Sequence, residues 1–233
     1  MPAKLIAVFN QKGGCAKTMT TMQLAGTMGL RGMKILVVDM DRQGTSVIWS
    51  AQAEKEKPFP AEVISLAPLK EKMIGEVGKR IDHYDIIFID CPQAIDSPIP
   101  WAALHVVDLG LIPVIPVMDN VWASKEAKEL ALRARQENPS LSVFYIASMM
   151  RRGRLFDLCL EELKSDTDVT MLQSYLSMRN AFPESQLYGT VVSEIARKSP
   201  AAIEVDALVD EVLALLENQV QFHADQPHQQ RAR

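Results

Sequence analysis

A chain of 233 residues with 48% apolar content can bury a sizeable core, and its length suits one large α/β domain. Its 25 Lys and Arg against 29 Asp and Glu give a net charge of −4, which excludes a generally basic nucleic-acid binder but leaves room for a local cationic face. Cys15, Cys91 and Cys159 stand too far apart for a metal-binding pair. No leader-like segment precedes the first apolar run and none approaches the ~20 residues of a membrane span, so the expectation is a soluble protein of the reducing cytoplasm with no stable membrane insertion.

In chain order, "LIAVF" (5–9) reads as a strand that runs into the glycine-bearing turn "NQKGGCAKT", followed by a helical pattern over 18–30 closed by Gly32. "KILVVD" (34–39) is a second strand, 51–60 a charged, proline-bounded loop, and 68–81 a second helical pattern. Strands follow at "DIIFID" (85–90), "LGLIPVI" (109–115) and "LSVFYIA" (141–147). Between the last two lies a helix over 124–137, with Ser124 as its cap and Asn138-Pro139 as its stop. A final helix starts at Ser199-Pro200, serine capping and proline at the first helical position. From residue 223, "HADQPHQQRAR" is polar and aperiodic and reads as a loose tail over 223–233, which leaves 1–222 as a single domain without internal repeats.

Unbroken apolarity implies strands covered on both faces. Alternation of strand and helix then predicts right-handed crossovers, hence an α/β fold: a mostly parallel twisted sheet with helices on both faces and ligands at the carboxyl ends of the strands.

Lys12-Gly13-Gly14-Cys15-Ala16-Lys17-Thr18 joins the first strand to the first helix. That is the layout of a phosphate-binding loop, in which backbone N–H groups and a helix N-terminus surround a phosphate. Lys17 would neutralise its oxygens and Thr18 would offer a hydroxyl to Mg²⁺. The usual GxxxxGK(S/T) spacing is not met, because Gln11 and Ala16 occupy the two glycine places. What stands here is KGGxxK(S/T), which resembles the deviant Walker A loop of the ParA/MinD family of partitioning and positioning ATPases, SIMIBI-type P-loop NTPases. On residues alone, Lys12 could be an ordinary surface lysine in a turn. The resemblance implies that Lys12 reaches across a nucleotide-sandwich homodimer to the phosphates held by the other subunit, so that pairing depends on ATP. It also implies nucleotide contacts along Gly13, Gly14, Cys15, Ala16, Lys17, Thr18 and Met19. As a side chain, Met19 reads with Met22, Met28 and Met33 as core filling.

"VVDMDRQGTSVIW" (37–49) resembles the family's DxDPQG segment, with Arg42 where proline is usual. The resemblance implies that Asp41 orients the attacking water and that Asp39 supports the magnesium shell; the plain reading is two carboxylates capping a strand end in water. "DIIFIDCPQ" (85–93) ends a strand in Asp90, a Walker B carboxylate expected to hold a magnesium-bound water. The family's DxPP is here Asp90-Cys91-Pro92-Gln93, with Cys91 read as a small buried residue. ATP and Mg²⁺ are therefore the implied cofactors, with Thr18, Asp39 and Asp90 around the metal and Lys12, Lys17 and Asp41 in catalysis.

"SMMRRGRLFDLCLEELK" (148–164) and "LSMRNAFPESQLYG" (176–189) match later family segments more loosely. They offer Arg151, Arg152, Arg154 and Arg179, and the turn before the last helix adds Arg197 and Lys198, as candidate contacts to DNA without sequence preference. Glu161, Glu162 and Glu194 are interleaved with them, so solvated surface charges are the plain reading. The resemblance spans about residues 4–218 and implies a nucleoid-associated ATPase that pairs on ATP, binds non-specific DNA and distributes a plasmid, a chromosome locus or a protein assembly. A ParB-like or other adaptor would stimulate its slow hydrolysis, and no N-terminal helix-turn-helix domain is expected. A MinD-like membrane-cycling regulator is one alternative, opposed by Glu204, Asp206, Asp210, Glu211 and Glu217 on the last helix. A metabolic ATP-dependent enzyme of the superfamily is another, opposed for a reductase by the cysteine spacing.

Overall fold

The structure, a computed structural model, describes residues 2–93 and 97–224. The elements are β1 (Lys4–Val8), α1 (Lys17–Leu30), β2 (Ile35–Asp39), α2 (Thr45–Ala51), β3 (Glu62–Ser65), a 3-10 stretch (Ala67–Lys72), α3 (Met73–Gly78), β4 (Ile86–Asp90) and α4 (Pro98–Leu104). They continue as β5 (Leu109–Val114), α5 (Met118–Glu137), β6 (Ser142–Ala147), α6 (Arg154–Lys164), β7 (Thr170–Met171), α7 (Ala181–Leu187), α8 (Val192–Ile195) and α9 (Pro200–Ala224). The seven strands form one sheet in the order β3-β2-β4-β1-β5-β6-β7, every neighbouring pair parallel.

Each residue of β2, β4 and β5 is buried, as strands covered on both sides require. Alternation along β1 divides the core. Ile6 and Val8 pack with Met22 and Met28 of α1, Trp49 of α2 and Val205 and Leu208 of α9, while Ala7 and Phe9 pack on the other side with Met73 of α3, Ala103 of α4 and Ala127 and Ala131 of α5. The expected α/β architecture stands. From β1 the chain crosses over β4 to β2, and later passes to β5 on the opposite flank, so the carboxyl end of β1 is the topological switch point where such sheets bind ligands.

Several boundaries differ from expectation. The 68–81 pattern is not one helix: Lys70, at φ 50° and ψ −132°, interrupts it, leaving the 3-10 stretch and a short α3. α5 begins at Met118, so Ser124 is no cap but a buried interior residue whose hydroxyl donates to Val121 O at 2.7 Å. Asn138 does stop that helix, its side-chain amide donating to Leu104 O at 3.0 Å and Val107 O at 2.9 Å. Ser199 caps α9, accepting from Ala202 N at 3.2 Å. α9 continues to Ala224, two residues into the expected tail; 225–233 lie outside the described residues. Among the described residues no helix is long and apolar enough to cross a membrane.

Candidate functional site

β1 delivers the loop, and Asn10 fixes its entry. The Asn10 amide donates to Pro113 O at 2.9 Å on β5, while its Oδ1 accepts from Lys12 N at 3.0 Å. Gly14 has φ 71°, in the left-handed region that favours glycine. Ala16, at φ 69° and ψ 25°, adopts the same region as the residue preceding α1. For a residue with a Cβ that conformation costs about 1–2 kcal/mol, so the loop keeps a turn that suits glycine even though alanine stands there. No side chain caps α1, which leaves its first N–H groups directed at the loop's concave side. A Cβ on Gly13 would sit 2.3 Å from Gln93 Oε1, so Gln93 crosses directly over the loop.

The two loop lysines part ways. Lys17 is 8% exposed and its ammonium lies beneath the loop, donating to Lys12 O at 3.1 Å. Lys12 is exposed. Cys15 is buried between them, its thiol donating to Lys12 O at 3.1 Å and shifted up by burial against the pull of Lys17. Met19 packs half-buried against the core under α1.

β2 and β4 lie in register with Asp39 beside Asp90. Asp90, 2% exposed, accepts at Oδ2 from the hydroxyls of Thr18 and Ser46, each at 2.8 Å. Burial pushes its pKa up to about 6, opposed by those two hydrogen bonds. Asp39, also buried, accepts from the backbone N–H groups of Asp41 at 3.0 Å, Ser46 at 3.0 Å and Val47 at 3.3 Å. Burial raises it above the usual carboxylate range as well, with the amide bonds opposing. Those bonds brace the turn that follows β2 and cap the start of α2. Asp41 is half-buried, accepts from Gln43 N at 2.9 Å, and opens with Arg42, Gln43, Gln93 and Ser97 onto a cavity of 550 Å³.

Oxygen donors suit Mg²⁺, and the hydroxyl of Thr18 converges with the Asp90 carboxylate as such a site needs. Among the described residues no group of three or more His, Cys, Asp or Glu could hold a metal by itself, so the nucleotide's own oxygens would complete the shell. Gln11 Oε1, at the loop entry, is buried without a hydrogen-bond partner among the described residues, a polar atom left for a ligand or water. Sequence reasoning missed Asn10, Ser46 and Gln93. Asn10 and Ser46 reveal themselves only through partners far along the chain.

Of the six candidate DNA contacts, Arg151, Arg152 and Arg179 line one cavity of 670 Å³ with Asp157 and Tyr175. Arg179 is not free: its Nη2 and Nε lie 2.6 and 3.1 Å from Glu204 Oε1 on α9. Glu204 also accepts from Ser177 N at 2.9 Å, so this pair clasps the 177–179 segment to α9. Arg154 opens α6, and Arg197 and Lys198 are exposed in the turn between α8 and α9, apart from that cavity.

Residues 3–77 match a family described as an AAA domain (AAA_31). The chain is 26% identical over 209 residues to maintenance of carboxysome distribution protein A of Halothiobacillus neapolitanus, covering 89% of this chain and 95% of that protein. It is 25% identical over 240 residues to the chromosome-partitioning ATPase Soj of Thermus thermophilus, covering 90% and 95%. Among solved structures, the septum site-determining protein MinD of Pyrococcus horikoshii complexed with Mg-ADP superposes with a TM-score of 0.71 at 18% identity, covering 93% of this chain and 98% of that one. Likeness that runs through most of the chain, together with the all-parallel sheet, makes this protein similar to P-loop ATPases of the ParA/MinD type.

Proposed function

We propose that the chain, with residues 1–222 as one ATPase domain, is a ParA-like switch that pairs face to face on ATP, holds non-specific DNA in that state and positions a cargo. The observation that carries this reading is the divergence of the two loop lysines. Lys17 sits under the loop where it can serve only the phosphates of its own subunit, while Lys12 extends from the same loop into solvent, free to serve a partner's. A charge lent across the seam neutralises phosphate only after two subunits meet, which makes pairing a function of nucleotide state.

Within one subunit, the backbone N–H groups from Gly13 to Thr18 and the start of α1 would cradle the phosphates, with Lys17 offsetting their charge. Thr18 and Asp90 would hold magnesium, which when bound supplies further neutralisation of the β- and γ-oxygens. Asp41 faces the open cavity and would orient the attacking water, while Asp39 keeps that turn in place. On the DNA side, Arg151, Arg152, Arg154, Arg197 and Lys198 are exposed cations whose number doubles on pairing. That supports useful binding by dimers and weak binding by monomers, against typical non-specific constants of about 10⁻⁴ to 10⁻⁶ M. Relatives named for carboxysome distribution and for chromosome partitioning support a large positioned cargo and nucleoid association. An adaptor would trigger hydrolysis.

The test is mass by light scattering with ATP and Mg²⁺, using Asp41→Ala to block cleavage. The parent should double in mass with ATP but not ADP. Adding Lys12→Gln should preserve nucleotide binding and leave single chains. Dimers that form equally well without Lys12 would refute the trans contact.

A further inference from the structure

Resting on the nucleotide reading above, we propose that Ser46 is a positioning residue that fastens the Asp41 turn to the metal-site carboxylate. Neither the loop motif nor the strand-end aspartates identify it. Ser46 is fully buried and bonds to both carboxylates: its hydroxyl donates to Asp90 Oδ2 at 2.8 Å and its backbone N–H to Asp39 Oδ2 at 3.0 Å. The turn over 41–45 is thereby closed at both ends. At its start, Met40 N donates to Asp90 O at 3.0 Å and Asp41 N to Asp39 Oδ1 at 3.0 Å. At its finish, Ser46 supplies the side-chain link to Asp90.

Ser46 is also held rigidly. Gly44, in the left-handed region at φ 64°, starts α2, and Asp39 caps that helix by accepting from Ser46 N and Val47 N. At the far end of α2, Trp49 Nε1 donates to Thr190 O at 2.9 Å, anchoring the helix to the α7–α8 turn. A hydroxyl mounted on a helix fixed at both ends can set the orientation of a carboxylate, which is how outer hydrogen-bond partners tune metal ligands. Thr18 donates to the same carboxylate oxygen. Thr21 Oγ1 also reaches the other oxygen, Asp90 Oδ1, at 3.5 Å, but it lies closer to Lys17 O at 3.0 Å; because Thr18 is itself a candidate metal ligand, Ser46 is the close hydroxyl left on Asp90 Oδ2 when Thr18 has another partner.

The experiment uses the full chain with Ser46→Ala and Ser46→Thr, following a fluorescent ATP analogue as Mg²⁺ is titrated, alongside turnover and thermal unfolding. Ser46→Ala should raise the half-saturating Mg²⁺ concentration by about 10- to 100-fold. At saturating Mg²⁺ its kcat should fall while KM for ATP moves by less than about threefold, the pattern of a lost transition-state interaction. Ser46→Thr, which keeps the hydroxyl, should return both values toward wild type; should its extra methyl group prevent folding, the Mg²⁺ midpoint of the alanine variant decides alone. A Ser46→Ala protein with lowered melting temperature but wild-type Mg²⁺ midpoint and kcat overturns the inference, since Ser46 then merely fills space. If wild type binds the analogue with no dependence on Mg²⁺, this inference falls alone; if it does not bind the analogue at all, the nucleotide reading itself falls and takes this one with it.

Discussion

Charges at the carboxyl ends of β1, β2 and β4 and the exposed cations among residues 150–198 follow opposite rules. The first set, Lys17, Asp39 and Asp90, is buried and hydrogen-bonded: Lys17 to Lys12 O of its own loop, Asp39 to the backbone at Ser46, and Asp90 to the hydroxyls of Thr18 and Ser46 on two other segments. The second set, Arg151, Arg152, Arg154, Arg197 and Lys198, is exposed on turns and a helix start. Burying an ionisable group without partners is costly, so the strand-end cluster exists only because several segments converge on one geometry. Such a cluster can discriminate one chemical group. Exposed cations are subject to no such constraint, and what they attract is negative charge in general.

The largest asymmetry between the two regions is expected in nucleotide binding. Lys17→Ala should weaken ATP binding by at least about 100-fold, since charge-assisted bonds contribute roughly 1.5–3 kcal/mol each and Lys17 can make more than one to phosphate. Arg152→Ala should leave it unchanged. Titration calorimetry with both variants measures the contrast, and equal losses would dissolve the division between the two regions.

A second asymmetry concerns stability. Asp90 has a folded-state pKa raised to about 6 because burial penalises its charge. For such a group the stabilisation is fully present below the unfolded value of about 3.9 and is lost as pH rises through about 6. Asp90→Asn keeps acceptor capacity toward Thr18 and Ser46 but carries no charge. In buffer free of metal and nucleotide at pH 7.5, it should therefore be more stable than wild type by about 1–3 kcal/mol, with the gap closing toward pH 4.5. Thermal unfolding across that range tests the sign, and an asparagine variant that melts lower at pH 7.5 would contradict it. The same variant should lose Mg²⁺-dependent nucleotide binding, which would place function and stability in opposition at one residue.

What could be read in the sequence follows from the same division. Strand-end aspartates and the glycine-bearing turn were legible because backbone geometry restricts residue type there, as at Gly14 with its positive φ. Ala16 is instructive: its left-handed conformation was carried by position between strand and helix, since its residue type argues against it. β1, β2, β4, β5 and β6 announced themselves as apolar runs, whereas β3 is a half-exposed edge strand and β7 only two residues long. The 68–81 helix failed because periodicity does not register a single interrupted residue, Lys70. Ser46 was invisible for a different reason. Its meaning lies in a partner 44 residues away, and a serine after a strand-end turn has many bland explanations.

The smallest expected effect lies among the cations of one cavity, which Arg152 and Arg179 both line while differing in their surroundings. Arg179 already has Glu204 at 2.6 Å, so much of its charge is neutralised before any phosphate arrives, while Arg152 is exposed. In the ATP state, log affinity for DNA falls with log salt at a slope of about 0.9 per neutralised phosphate. Arg152→Ala should lower that slope by about 0.9 per subunit, whereas Arg179→Ala should lower it by less. Arg179→Ala should instead reduce the melting temperature, because Glu204 would still accept from Ser177 but lose its counter-charge. Filter binding across a salt series, paired with thermal unfolding, separates the two behaviours. Equal slope changes would mean that these cations act through total charge alone and that the Arg179–Glu204 clasp opens on DNA; unequal ones would mean that protein-internal pairing decides which cations remain available to a ligand.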